Sequence, residues 1–175
     1  MSLEDLDLTD FWEPSEYATK EYVDVPLTPA SLERMERALG YKLPAAYVEL
    51  AGRQNGGIPR RTCHRTAAPT SWSKDHVAIT GIYAIGETKP CSLCGGLGSK
   101  FWVAEWGYPD IGVYFADCPS AGHDMLCLDY RECGPTGEPT VVHVDQERGY
   151  AITFVASTFE TFIRGLQRDV DFGGA

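Results

Sequence analysis

Four stretches in the C-terminal half constrain the fold most: IGVYFAD (111–117), DMLCLDY (124–130), TVVHVD (140–145) and YAITFVA (150–156). Each is short, rich in β-branched and aromatic residues, and bounded by turn formers, the signature of a strand. The connections are CPSAGH, RECGPTGEP and QERG. A parallel crossover needs about a dozen residues and usually a helix, so strands joined this tightly pair antiparallel. An earlier stretch, HVAITGIYAIG (76–86), carries Val77, Ile79 and Ile82 to Ile85 and reads as one further strand. FWVAEWGYP (101–109) fits either a short helix or a strand ending at Pro109.

Helical patterns flank the strands. In TPASLERMERALG, Thr28 suits an N-cap, Pro29 a first turn, and Gly40 a left-handed stop. Leu32, Met35, Ala38 and Leu39 share a face. In LPAAYVELAG the expected helix starts at Pro44, ends at Gly52, and turns Tyr47, Leu50 and Ala51 inward. In STFETFIRGLQRD, Ser157 and Glu160 have capping-box spacing, and Phe159, Phe162, Ile163 and Leu166 form an apolar stripe. The expected fold is α+β: a mostly antiparallel sheet of about five to six strands, with two N-terminal helices and one C-terminal helix packed on it. Residues 27–175 read as a single domain and residues 1–26 as an acidic N-terminal arm, with Phe11, Trp12, Tyr17 and Tyr22 as possible aromatic anchors. Residues 58–76, with Arg60, Arg61, Arg65 and Lys74, lack periodicity and read as a long loop.

The net charge of −10 is unevenly spread. Residues 1–24 carry a net −7, residues 25–104 a net +5, and residues 105–147 a net −8, with Arg131 as their one base. Nucleic-acid binding draws on clustered Lys and Arg that release counterions from phosphates, which argues against that class. A basic protein partner fits better. The alternative is an acidic surface that only confers solubility. No apolar run approaches a membrane span, so no membrane partner is expected. The start, MSLEDLDLTD, lacks the basic-then-apolar pattern of a secretory signal, which places the chain in a reducing cytoplasm.

The six cysteines are therefore read as thiols or metal ligands rather than disulfides. Cys91 and Cys94 form a C-x-x-C pair within KPCSLCGGLGSKFW, half of a zinc site. A second half would come from Cys118 with His123, or from Cys127 with Cys133, at spacings of C-x4-H and C-x5-C. For Cys63, Cys118, Cys127 and Cys133 the alternative is ordinary burial as small apolar residues. Gly95 and Gly96 directly after the pair oppose a redox helix and fit a mobile loop. Gly98-Ser99-Lys100 departs from a phosphate loop, and no nucleophile elbow or H-E-x-x-H is present. No catalytic residue or cofactor is indicated.

One motif series resembles a known family. Leu32, Glu36, Leu39, Gly40, Leu43, Pro44, Tyr47 and the triplet Asn55, Gly56 and Gly57 match the opening signature of the SUKH superfamily, the Smi/Knr cell-wall regulators and their bacterial relatives. Downstream, Trp106 precedes a strand ending at Asp117, followed by a Gly-His-Asp turn, LCLDY, TVVHVD and an S-x-F-x-x-F helix. The resemblance implies an α+β fold, no conserved catalytic machinery, and a role in protein binding. Its bacterial members are immunity proteins that neutralise toxins, often nucleases, whereas its fungal members are signalling and interaction proteins. It also implies structural roles for the matching residues, with Asp117 and Asp124 bonding backbone in turns. A carboxylate-rich surface could imitate a phosphate backbone before a basic toxin domain. The candidate contacts are Asp110, Asp117, Asp124, Asp129, Glu132 and Glu147, with Trp106 or Tyr108 as aromatic anchor; for Trp106, core packing is the alternative.

Overall fold

A computed structural model describes residues 2–172. A short helix α1 (Glu16–Glu21) precedes α2 (Pro29–Leu39) and α3 (Ala45–Arg53). Two short strands, β1 (Cys63–Arg65) and β2 (His76–Ala78), form their own antiparallel pair. The main sheet is β3 (Gly81–Ile82), β4 (Gly112–Asp117), β5 (Asp124–Asp129), β6 (Thr140–Asp145) and β7 (Ala151–Ala156). These five strands lie in chain order and pair antiparallel throughout; the short connections from β4 to β7 require it, whereas β3 meets β4 across a longer segment. Helix α4 (Ser99–Trp106) separates β3 from β4, and α5 (Phe159–Arg164) closes the main body. The segment that fitted either a helix or a strand is thus α4, whose chain turns away at Gly107 in the left-handed conformation.

Local chemistry sets the helix boundaries. Thr28 caps α2 by accepting from Ser31 N–H at 3.1 Å, and Gly40 ends it with φ +83°. Helix α3 overruns the expected Gly52 stop: Pro44 is its N-cap and Gln54 its C-cap, with Gln54 N–H donating to Leu50 at 3.1 Å. Gly52 has open space around it, so nothing at that position forces the helix to end. Helix α5 starts one residue later than Ser157–Glu160 spacing implies. Thr158 accepts from Thr161 N–H at 3.0 Å, and Glu160 instead pairs with Arg164 at 3.0 Å.

The expected single strand over 76–86 divides between two sheets. β2 pairs with β1, then Thr80 N–H donates to Asp117 at 2.7 Å and β3 joins β4. The handover occurs at Gly81, where any Cβ would collide with the Tyr22 ring. Strand β1 also gives the arginine loop more order than its sequence suggested. Arg60 lies 2.9 Å from Asp10 and 3.1 Å from Glu13, so basic loop and acidic segment hold each other.

Helices α3 and α5 meet the sheet through stacked rings. Tyr47 lies parallel to Phe159 at 4.5 Å, and Phe115 meets both Phe159 and Phe162 at 5.5 Å. The Tyr47 hydroxyl donates to the Tyr83 carbonyl at 2.6 Å, which satisfies the one polar atom of a fully buried ring. Leu3 and Tyr22, from the acidic segment, are also fully buried in this core.

Candidate functional site

The structure divides the candidate carboxylates into three groups. Asp124 and Asp129 are buried with partners of their own. The Asp124 carboxylate lies 2.7 Å from His143 Nε2 and accepts from Ser120 Oγ, so its bonds run to side chains and not to turn backbone, while its own backbone N–H donates to Ser120 Oγ at 3.1 Å. Burial alone would raise its pKa, but His143 and Ser120 hold it below the usual carboxylate range. Asp129 is gripped by the Arg131 guanidinium at 2.7 and 3.0 Å. Tyr108 is likewise internal, its hydroxyl donating to the Gly122 carbonyl at 2.6 Å. These three residues are therefore withdrawn from any contact surface. Asp110, Glu132 and Glu147 are exposed, and Glu147 lies 3.4 Å from His123. Asp117 is half-buried at the end of β4; its partner is a distant side chain, not a turn, because the Tyr22 hydroxyl bonds both its oxygens at 2.8 Å.

The cysteine loop is packed into the core rather than free. Ser92 and Leu93 are fully buried, Cys91 N–H donates to the Glu21 carbonyl at 2.9 Å, and Leu93 N–H donates to Ala84 at 2.8 Å. All six thiols are free. Burial, and then the Asp117 carboxylate, push the Cys91 thiol up to about 12, so it stays protonated and poorly nucleophilic. Among the described residues, the groups of metal-capable side chains include neither Cys91 nor Cys94, and Cys118 gathers with Asp124 and His143 rather than with His123.

One cleft draws together segments that the sequence left apart. Its volume is about 320 Å³, and it is lined by Tyr17 and Glu21 of α1, Cys91 and Leu97 of the cysteine loop, Phe101, Trp102 and Trp106 of α4, and Asp117 of β4, with Tyr83 also on its wall. Trp102 meets Trp106 at 5.4 Å, and Trp106 meets His123 at 5.6 Å. Trp106 is thus half-buried, part core and part wall. The Asp117 carboxyl is pushed up to about 6 by burial, against the opposing Tyr22 bond. Aromatic faces attract a cation by about 0.5–2 kcal/mol each, and a carboxylate adds charge complementarity. The described lining carries two carboxylates, no Lys or Arg and no His, an arrangement suited to holding a cationic group rather than to proton transfer.

A larger groove, of about 750 Å³, runs past Leu39, Gly40, Tyr41 and Tyr130. It contains Asp110, but Lys100 and Arg131 share its wall, so its charge is mixed. The contribution of α1 to the cleft was missed from the sequence. The available signal was the i, i+4 spacing of Tyr17 and Glu21 after the Ser15 cap, which sets both on one helix face.

The family model SUKH_6, described as SMI1-KNR4 cell-wall, matches residues 29–163. The chain belongs to the SUKH family. No curated protein matches it. Leu39, Leu43 and Tyr47 are buried, Gly40 supplies the helix cap, and Pro44 opens α3. Asn55 does more than make a turn with Gly56 and Gly57: its amide donates to Val25 and Ile85 carbonyls at 2.9 and 3.0 Å and accepts from Ile85 N–H at 2.8 Å. It therefore ties the acidic segment to the chain that follows β3. Trp106 and Asp117 of the cleft lie inside the span matched by the SUKH model, whereas Tyr17 and Glu21 lie before it.

Proposed function

We propose that this SUKH protein is a non-enzymatic binding protein of the immunity type, which neutralises a partner protein by direct contact. The observation that carries this reading is the cleft: an aromatic and carboxylate-lined recess built by α1, the cysteine loop and α4 on a SUKH scaffold. A Lys or Arg side chain of the partner fills it, with the cation over Tyr17 and Trp106 and its charge toward Glu21 and Asp117. The exposed carboxylates Asp110, Glu132 and Glu147 add long-range attraction for a basic partner surface, such as the substrate cleft of a nuclease toxin. Such a partner places the activity in the cytoplasm. Among the described residues, no helix is long and apolar enough to cross a membrane.

The test is co-expression with the protein encoded beside it. Rescue of growth, lost in a Trp106→Ala, Asp117→Asn double variant, supports the reading. No rescue by the wild-type protein removes it. The family description, which names the SMI1-KNR4 cell-wall group, favours a second reading as a regulatory or scaffold module without a toxin. A gene neighbourhood holding no toxin gene would select that alternative.

A further inference from the structure

We propose that Cys63, His76 and Asp169 form a zinc site that pins the C-terminal turn to the β1–β2 pair. The three come from β1, β2 and the turn at Asp169–Phe172, and their ligand atoms all lie within 4.8 Å of one another. Cys63 Sγ is 3.9 Å from Asp169 Oδ1, and His76 Nε2 is 4.0 Å from the same oxygen. In tetrahedral zinc coordination, with metal–sulfur near 2.3 Å and metal–nitrogen or metal–oxygen near 2.0 Å, ligand atoms stand about 3.3–3.6 Å apart. The observed separations are therefore about half an ångström wider than a loaded site. Asp169 can close that gap, because its side chain is 52% exposed and its backbone belongs to a short surface turn.

The groups packed around His76 strengthen the assignment. His76 Nδ1 is 2.8 Å from the Asp75 carboxylate, which can only accept, so Nδ1 carries the proton. This leaves the Nε2 lone pair facing Cys63 and Asp169, the tautomer a metal ligand needs. Asp75 is itself fixed by Ser73 Oγ at 3.0 Å. The Phe172 ring stacks on His76 at 4.2 Å and holds the imidazole plane. Register places Arg65 opposite His76 and Cys63 opposite Ala78, so the pairing sets the two ligands diagonally on one face of the strand pair. A thiolate, an imidazole and a carboxylate suit a borderline divalent ion, and the exposed Asp169 side leaves a fourth position for solvent. The other mixed cluster, Cys118, Asp124 and His143, is different. There His143 Nε2 already contacts Asp124 at 2.7 Å, and all three residues are buried, which leaves no room for an ion between them and no open position.

The test uses the full chain, reduced and freed of metal by a chelator, titrated with Co²⁺ and then with Zn²⁺. A thiolate-to-cobalt charge-transfer band saturating near one equivalent and bleached by Zn²⁺ is the expected result. Cys63→Ser must abolish the band. Asp75→Asn must retain it while weakening affinity about 10–100-fold, the usual effect of losing an outer-shell carboxylate. Asp169→Asn, at an exposed position, must weaken binding without changing the circular dichroism, and it keeps the test open should Cys63→Ser fail to fold. Absence of the band overturns the proposal. So does a band that survives Cys63→Ser, or one that is lost instead in Cys91→Ser or Cys118→Ser.

Discussion

Asp117 couples the proposed binding cleft to stability. Its carboxyl is moved from 3.8 to about 6, with burial as the cause and the Tyr22 hydroxyl opposing it. A raised carboxylate pKa means that the folded chain keeps its proton longer than the unfolded chain. Stability contributed by the neutral form is therefore complete below about pH 4 and lost as pH rises to about 6. Roughly two pH units at about 1.4 kcal/mol each gives ~3 kcal/mol, and partial solvent access reduces this to about 2 kcal/mol. Asn at this position cannot titrate. Urea unfolding of wild type and Asp117→Asn at pH 4 and pH 7 isolates the effect, because every other titrating group is common to both and cancels. Relative to wild type, the variant gains about 2 kcal/mol between the two pH values, about 4–8 °C in Tm. Parallel pH profiles would refute a destabilising buried charge at the cleft floor.

Three further outcomes follow from the geometry. Asn55→Ala strands the Val25 and Ile85 backbone groups and costs about 3 kcal/mol in chemical denaturation, more than loss of a surface turn residue would cost. Phe159→Ala removes the ring stacked on Tyr47 and lowers stability by about 3–5 kcal/mol, read as a fall in Tm. A bound cation stabilises the ionised form of Asp117, so affinity for the partner strengthens as pH rises through about 6 and weakens below it; isothermal titration at pH 5 and pH 7 measures the difference.

Periodicity and turn chemistry are local, and the elements they govern were legible in the sequence. The four C-terminal strands, the Thr28 cap with Pro29, the Gly40 stop and the apolar face of α5 all appear where their residues place them. What failed to show depends on contacts distant in the chain. The strand over 76–86 divides because β2 finds its partner in β1 and β3 in β4, and a Cβ at Gly81 would collide with the Tyr22 ring packed there. The acidic residues of the −8 segment look alike in sequence, yet Asp124 turns inward to meet His143 of the neighbouring strand. The cysteine loop draws the eye as a metal motif, whereas the ligand-like trio of Cys63, His76 and Asp169 is assembled by strand register and a turn more than ninety residues away. The cleft residues come from several segments distant in sequence; Trp106 and Asp117 stood among the sequence candidates, whereas for Glu21 the Tyr17–Glu21 spacing is the available trace.

The central claim is that the cleft seats a basic side chain of a partner protein. Isothermal titration of the protein encoded beside this one into wild type, Tyr17→Ala and Trp106→Ala tests it most directly. Tyr17 is 57% exposed and bears little of the core, so its variant reports on contact rather than folding. The account predicts that each substitution weakens binding at least tenfold, about 1.4 kcal/mol or more, with the fold intact by circular dichroism. Unchanged affinity in both variants would contradict it.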